Sequence, residues 1–193
     1  MPNKLWSEEE ERALAVAAKT DRAAFGMLYD RYVDRVYGYC FRRLQTREEA
    51  EDATSHVFTK ALAALPRYRD DGPPFGAWLF TIARNVVIDE YRRRGTTPVM
   101  PTAETGHAAD PLPGPEEHLL RAEEAREVRS LLSHLTADQA EVVELRLAGL
   151  TDKEIAVVVG RSPGAVRVAQ HRAVRRLRSL LGIDPMEKGP RDA

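Results

Sequence analysis

Residues 151–177 read TDKEIAVVVGRSPGAVRVAQHRAVRRL, and the spacing within this stretch decides the fold of the C-terminal part of the chain. Thr151 and Glu154 form a capping box that starts a helix. Ala156 is small enough for a close helix crossing, and Gly160, four residues on, permits a tight turn. Ser162 caps a second helix, with Pro163 at its first position. Ile155, Val159 and Val166 are placed to fill the pocket between the two helices. This is helix-turn-helix spacing, in which the N-terminal part of the second helix enters the DNA major groove. Its early exposed positions include Gly164, Arg167 and His171. Arginine there either pairs bidentately with guanine or holds a phosphate. An ordinary corner of two helices would look similar, and His171 alone is weak evidence.

Working outward, Arg161 to Leu181 carries six arginines (Arg161, Arg167, Arg172, Arg175, Arg176 and Arg178) and no acid. That is a candidate phosphate-binding surface, or else a solvated helix face. The run is hidden in the totals, because 29 basic residues nearly cancel 30 acidic ones over the 193 residues. Aromatic residues are also unevenly placed: all lie between Trp6 and Tyr91. The two halves are therefore expected to have different cores and different tasks. Between them, Gly95–Glu117 contains Pro98, Pro101, Pro111, Pro113 and Pro115 among small polar residues, the pattern of a flexible linker. The expected organisation is a domain over 1–94, a linker over 95–117, a helix-turn-helix domain over 118–182 and a tail over 183–193. Further capping boxes begin at Ser7, Thr46 and Thr136, and no stretch shows sustained two-residue alternation. The fold class is all-α: two small helical domains joined by a flexible Pro-rich linker, the second a helix-turn-helix.

In the N-terminal domain, residues 7–18 read as a short amphipathic helix. Phe25, Tyr29, Val33, Val36, Cys40 and Leu44 then form one apolar stripe at helical spacing. A third helix runs from the Thr46 cap to Leu65, before Pro66. Its expected core side is Val57, Phe58, Ala61, Leu62, Ala64 and Leu65. Asp52, Ser55, His56, Thr59 and Ala63 share another face, either solvent surface or a docking surface. The fourth helix, Phe75–Arg94, reads FGAWLFTIARNVVIDEYRRR. Phe75, Trp78, Leu79, Ile82 and Val86 form its buried stripe. Thr81, Asn85, Ile88 and Arg92 form a second stripe, with Arg84 at its margin. Arg92, Arg93 and Arg94 suit the negative end of a helix. They equally suit a phosphate grip beside an amide that can bond a base. Tyr68, in the loop RYRDDGPP, either plugs the core edge or stacks on an unpaired base.

Cys40 is the only cysteine, so there is no internal disulfide and no cysteine-rich metal site. The histidines have no ligand spacing. We expect no metal, cofactor or catalytic residue. There is no signal-peptide core and no apolar run of membrane-spanning length, so a soluble cytoplasmic protein without membrane insertion is expected.

Taken together, these segments resemble a bacterial RNA polymerase sigma factor of the extracytoplasmic-function (ECF) subfamily over about residues 20–182. Phe25–Tyr68, with EAEDATSHVFTKAL, resembles regions 2.1–2.2 of that family. Phe75–Arg94, with WLFTIARN followed by Asp89, Arg92 and Arg93, resembles regions 2.3–2.4, and Leu131–Leu181 resembles region 4. The resemblance implies that the chain lends promoter specificity to the polymerase core without catalysis of its own. By position it implies that Asp52, Ser55, His56 and Phe58 dock on the clamp of the polymerase beta-prime subunit. It places Tyr68, Arg84, Asn85, Asp89, Arg92 and Arg93 at the −10 element of promoter DNA, which the family reads and opens. It places Ser162, Gly164, Arg167, His171 and Arg172 at the −35 element. The chain departs from the family at Ser55-His56, often Gln-Glu, at Arg161, usually apolar, and at Ala169, often basic. No sensor is evident, which points to control by a partner protein, an anti-sigma factor, with control by expression level alone as the competing idea.

Two other readings compete. A stand-alone helix-turn-helix regulator would bind duplex DNA without polymerase, but a sensor domain has no need of the Trp78/Asn85/Arg92 helix. A nucleic-acid enzyme would need a metal cluster, phosphate loop or nucleophile–base pair, none of which the sequence offers.

Overall fold

The computed structural model describes residues 7–44, 46–95 and 127–183. Among them every regular element is helical. In chain order these are α1 (Glu8–Ala17), α2 (Arg22–Arg43), α3 (Arg47–Ala64), a 3₁₀ turn (Leu65–Arg67) and α4 (Phe75–Arg93). A helical stretch over 127–132 follows. Then come α5 (Ala137–Leu147), α6 (Asp152–Val159) and α7 (Pro163–Leu180). The linker expected over 95–117 and the tail expected over 183–193 lie outside the described residues, apart from Gly95 and Ile183.

The helix starts follow from local chemistry. Ser7, Thr46, Thr136 and Thr151 each accept a bond from the backbone N–H three residues on, and the Glu or Gln there bonds back. Such caps are worth about 1 kcal/mol each. Ser162 caps α7 with Pro163 at its first position. The ends are equally local. Pro66 turns the end of α3 into the 3₁₀ turn. Gly160 closes α6 with φ +67°, the left-handed conformation that the sharp turn into α7 requires.

α2, α3 and α4 pack on one another, with α1 across α2 and α4. Their core holds Leu28, Tyr32, Tyr39, Phe75, Leu79 and Phe80, all with under 2% exposure. α5, α6 and α7 pack together, with Ile155 and Val166 fully buried and Val159 half-buried. A small separate cluster joins Leu132, Leu135, Ala140 and Ala173.

The expectation of two different cores is corrected. Val142, Leu145, Ala148, Leu150, Ile155, Ala156, Val158 and Val166 join one continuous apolar cluster with the N-terminal helices. α6 packs along α4, and α5 touches α2. This shared packing explains the misplaced stripes. On α2 the buried line is Ala24, Leu28, Tyr32, Val36, Tyr39, Cys40 and Arg43, while Tyr29 is exposed with its ring on Phe58. On α4, Gly76, Ala77, Phe80, Ala83 and Val87 are buried besides the expected Phe75, Leu79 and Val86. A helix covered on two sides buries more than one stripe. On α3, Leu62 stands half exposed rather than in the core.

Candidate nucleic-acid interface

α7 presents the C-terminal part of the candidate site. Ser162, Gly164, Arg167, His171 and Arg172 are all exposed. Ser162 Oγ accepts the Ala165 N–H at 3.2 Å, so this side chain both starts the helix and stands at its tip. Val166 and Ala173 hold the opposite face in the core. Beside the helix, Arg172, Arg175, Arg176 and Ser179 line a cleft of about 590 Å³ with His134, Thr136 and Gln139. Arg175 and Arg176 were read in sequence only as part of the basic run. Their convergence with the Thr136-capped start of α5 needs the fold. His134 Nδ1 bonds Ser130 O at 2.9 Å, which fixes the ring at the edge of this cleft. Arg161 faces elsewhere and pairs with Asp138 at 2.7 Å.

α4 presents the second part. Asn85, Asp89, Arg92 and Arg93 are exposed along its outer side. Asp89 lies between Lys60, at 3.7 Å, and Arg92, at 3.6 Å. Arg93 pairs with Glu90 on its own helix. Arg94 turns back to Glu49 at 2.6 Å, so the last of the three arginines joins α4 to the start of α3. Arg84 is half-buried and engaged by a carboxylate: Nε donates to Glu141 Oε1 at 2.7 Å and Nη2 to Oε2 at 3.4 Å.

Tyr68 is 3% exposed. Its ring meets Phe75 and Trp78 edge-on, at 5.9 and 5.3 Å between centroids, and its hydroxyl donates to Pro73 O at 3.2 Å. Burial lifts the phenol above its ordinary range. Of the two sequence readings, this geometry is that of the plug at the core edge.

α3 presents the third part. Asp52, Ser55 and His56 are exposed together with Thr59 and Ala63. Phe58 is 6% exposed and packs on Tyr29 at 4.6 Å, so it supports this face from beneath rather than standing on it. Cys40 is fully buried and its thiol is pushed up to about 12 by burial, leaving it a packing residue. Among the described residues no group of His, Cys, Asp and Glu could hold a metal ion. No helix there is long and apolar enough to cross a membrane.

A capped, basic helix-turn-helix joined in one chain to a helical unit that shows an amide and arginines on one edge defines a DNA-binding protein of the transcription class. Comparison with known proteins gives the family. The Sigma-70 region 2 model matches residues 28–97, and the Sigma-70 region 4 model matches residues 125–177. ECF RNA polymerase sigma factor ShbA of Streptomyces griseus is 43% identical over 152 residues, 74% of this chain and 79% of that protein. SigD of Mycobacterium tuberculosis is 36% identical over 176 residues, 89% and 83% of the two chains. BldN of Streptomyces coelicolor is 39% identical over 162 residues, 83% of this chain, which spans 61% of its length. Among solved structures, CnrH in complex with the cytosolic domain of CnrY has a TM-score of 0.68 at 26% identity, covering 91% of this chain and 99% of that one. The chain belongs to the ECF RNA polymerase sigma factors. Its function is that of the family: binding RNA polymerase and directing promoter-specific transcription initiation.

Proposed function

We propose that the labour of initiation is divided between the exposed faces described above. The single observation that carries this reading is the acid-free face of α7, with Arg167, His171 and Arg172 exposed on a helix capped by Ser162. A helix presented this way fits the major groove of intact duplex, so Ser162, Gly164, Arg167, His171 and Arg172 read the −35 element. Arg175 and Arg176 add phosphate grip beside it. Asn85, Arg92 and Arg93 on α4 contact the −10 element, with Arg84 joining when it is free of Glu141. Asp89 orients Arg92, and Tyr68 packs on Phe75 and Trp78, steadying the start of the helix that carries this edge. Asp52, Ser55 and His56 meet the polymerase clamp, with Phe58 holding their helix in place. The chain acts in the cytoplasm and performs no chemistry itself. Two functional domains over 1–94 and 118–182, joined by the 95–117 linker, suit this division.

We further assign control to a protein partner of the anti-sigma kind. CnrH, solved with the cytosolic domain of CnrY, supports a protein partner for this architecture. Run-off transcription with core polymerase on a genomic promoter pool tests the reading. The expected result is transcripts from a defined promoter set, lost when Arg167 and Asn85 are both replaced by alanine. Unchanged transcript choice in that variant overturns it. Purification of the chain from uninduced cells tests the partner: a protein displaced by core polymerase is expected, and full activity of the purified chain without any copurifying protein contradicts it.

A further inference from the structure

We infer that the cleft between α7 and the start of α5 is a binding site for a compact soluble anion of two or three linked phosphates, either free or at the 5′ end of a nucleotide. Its occupant competes with DNA for Arg172. That consequence rests on the promoter reading above, whereas the site itself does not.

The lining of the cleft is cationic throughout. Arg172, Arg175, Arg176 and Ser179 enter it from α7, and residues 172, 175, 176 and 179 are three and four apart, on one side of a helix. No carboxylate lines it, and none lies between Arg161 and Leu181 in the chain. Arg161, outside the cleft, is neutralised by Asp138. Among the described residues the three cleft arginines have no ion pair. Like charges at these helical spacings repel. An anion from outside the chain offsets that repulsion, and each guanidinium offers the fork that fits paired phosphate oxygens.

The wall on α5 supplies donors as well. The capping box uses the acceptors of Thr136 and Gln139. Thr136 Oγ1 accepts the Gln139 N–H at 3.4 Å, and Gln139 Oε1 accepts the Thr136 N–H at 3.2 Å. The hydroxyl proton of Thr136 and the amide NH₂ of Gln139 are left to donate. At about 590 Å³ the cleft has the volume of a small-ligand site rather than of a single ion. A DNA strand presents one charge per phosphate, spaced by its sugars, whereas linked phosphates bring several charges within one cleft. At about 100° per residue, Arg172, Arg176 and Ser179 also point well round α7 from Arg167 and His171. The site therefore lies on the flank of the proposed reading face and shares only Arg172 with it.

Calorimetric titration of the full chain with tripolyphosphate, pyrophosphate and sulfate, at fixed ionic strength, tests the site without DNA. One-to-one binding is expected, tightest for tripolyphosphate and weakest for sulfate. Gln139→Glu keeps an acceptor for the Thr136 N–H but puts a carboxylate in the cleft. It should weaken tripolyphosphate about tenfold or more, the worth of a hydrogen bond to a charged group. Ser179→Asp should do the same. Arg178→Ala changes the net charge of the chain equally from outside the cleft and should leave the affinity unchanged. Far-UV circular dichroism, expected to be unchanged, shows that each variant is folded. Tripolyphosphate bound no tighter than sulfate, or equal losses in Gln139→Glu and Arg178→Ala, overturns the site. ATP distinguishes the two sources of the phosphates, because His134 offers a ring on which a base can stack. Tighter binding of ATP that is lost in His134→Ala marks a nucleotide, equal or weaker binding marks a free polyphosphate, and either upholds the site. Competition is read by fluorescence anisotropy of the holoenzyme on a labelled −35 duplex. Tripolyphosphate should displace the wild type, and Gln139→Glu should resist by the factor of its lost anion affinity. Equal displacement of both overturns the competition. Failure of the promoter reading shows separately, as unchanged transcript choice in the run-off assay.

Discussion

Arg167 and Arg84 show how two arginines of similar promise in sequence part company in the fold. Arg167 stands exposed on α7 and has no carboxylate on its helix to compete for it. Arg84 is held by Glu141, a residue 57 positions away that no local pattern connects to it. If Arg167 reads a base, Arg167→Ala should weaken −35 recognition by about 1–3 kcal/mol and relax preference at one base pair. Competition binding of the holoenzyme to a library of single-base variants measures this. An equal loss on every sequence would make Arg167 a phosphate contact. The Ser162 cap and the exposed positions Gly164, Arg167 and His171 were legible because helix-turn-helix spacing is local and caps announce themselves, whereas a −35 role for these residues and Arg172 came only from the family resemblance. Arg175 and Arg176 were not singled out, because their cleft also needs His134 and Thr136, brought close only by packing of α5 against α7.

At the scale of elements, α4 was legible as a helix with a functional edge, but its burial was underestimated. Periodicity reports that a face is apolar, not how many neighbours will cover it. Gly76, Ala77 and Ala83 carry too little side chain to mark a buried stripe, yet they let neighbouring helices come close. Tyr68 illustrates the same limit in a loop, where no period exists to place an aromatic. Its packing against Phe75 and Trp78 makes a clear expectation. Tyr68→Phe removes only the bond to Pro73 O and should cost about 0.5–1.5 kcal/mol. Tyr68→Ala leaves a cavity and should cost about 3–5 kcal/mol, as truncation of a buried aromatic does. Thermal or urea unfolding gives both values. Asn85→Ala, on the exposed edge, should leave stability unchanged and impair promoter opening in permanganate footprinting. A Tyr68→Phe variant that is fully stable but fails to open promoters would return the ring to a role on DNA.

At the scale of the whole molecule, the two units share a core that the composition split between aromatic and arginine-rich halves concealed. That sharing was out of reach of the sequence, because the Arg43–Glu144 pair spans 101 positions and each member alone reads as a surface charge. Neither unit has a large excess of basic charge, and Arg84 is engaged within the molecule. The isolated chain should therefore bind promoter duplex weakly, and core polymerase should restore specific binding in a mobility-shift titration. Tight specific binding by the chain alone would instead favour a stand-alone regulator.

The closed arrangement also carries a pH signature. Burial holds the Glu144 carboxyl above its ordinary value, against the opposing pull of Arg43 and Arg42. The groups around it are Tyr39, Arg42 and Arg43 on α2, Tyr91 on α4 and Glu141 on its own helix. In an open molecule Glu144 would be in water and would titrate normally. The closed form therefore binds the proton more tightly than the open form. Closure is favoured on the acid side and weakens as pH rises from the ordinary glutamate value through the raised one. The radius of gyration of the free chain should grow as pH rises above the ordinary glutamate range, and Glu144→Gln, which keeps the shape without the titration, should flatten that growth. Opening on acidification, or the same slope in Glu144→Gln, would show that Glu144 does not govern the interface.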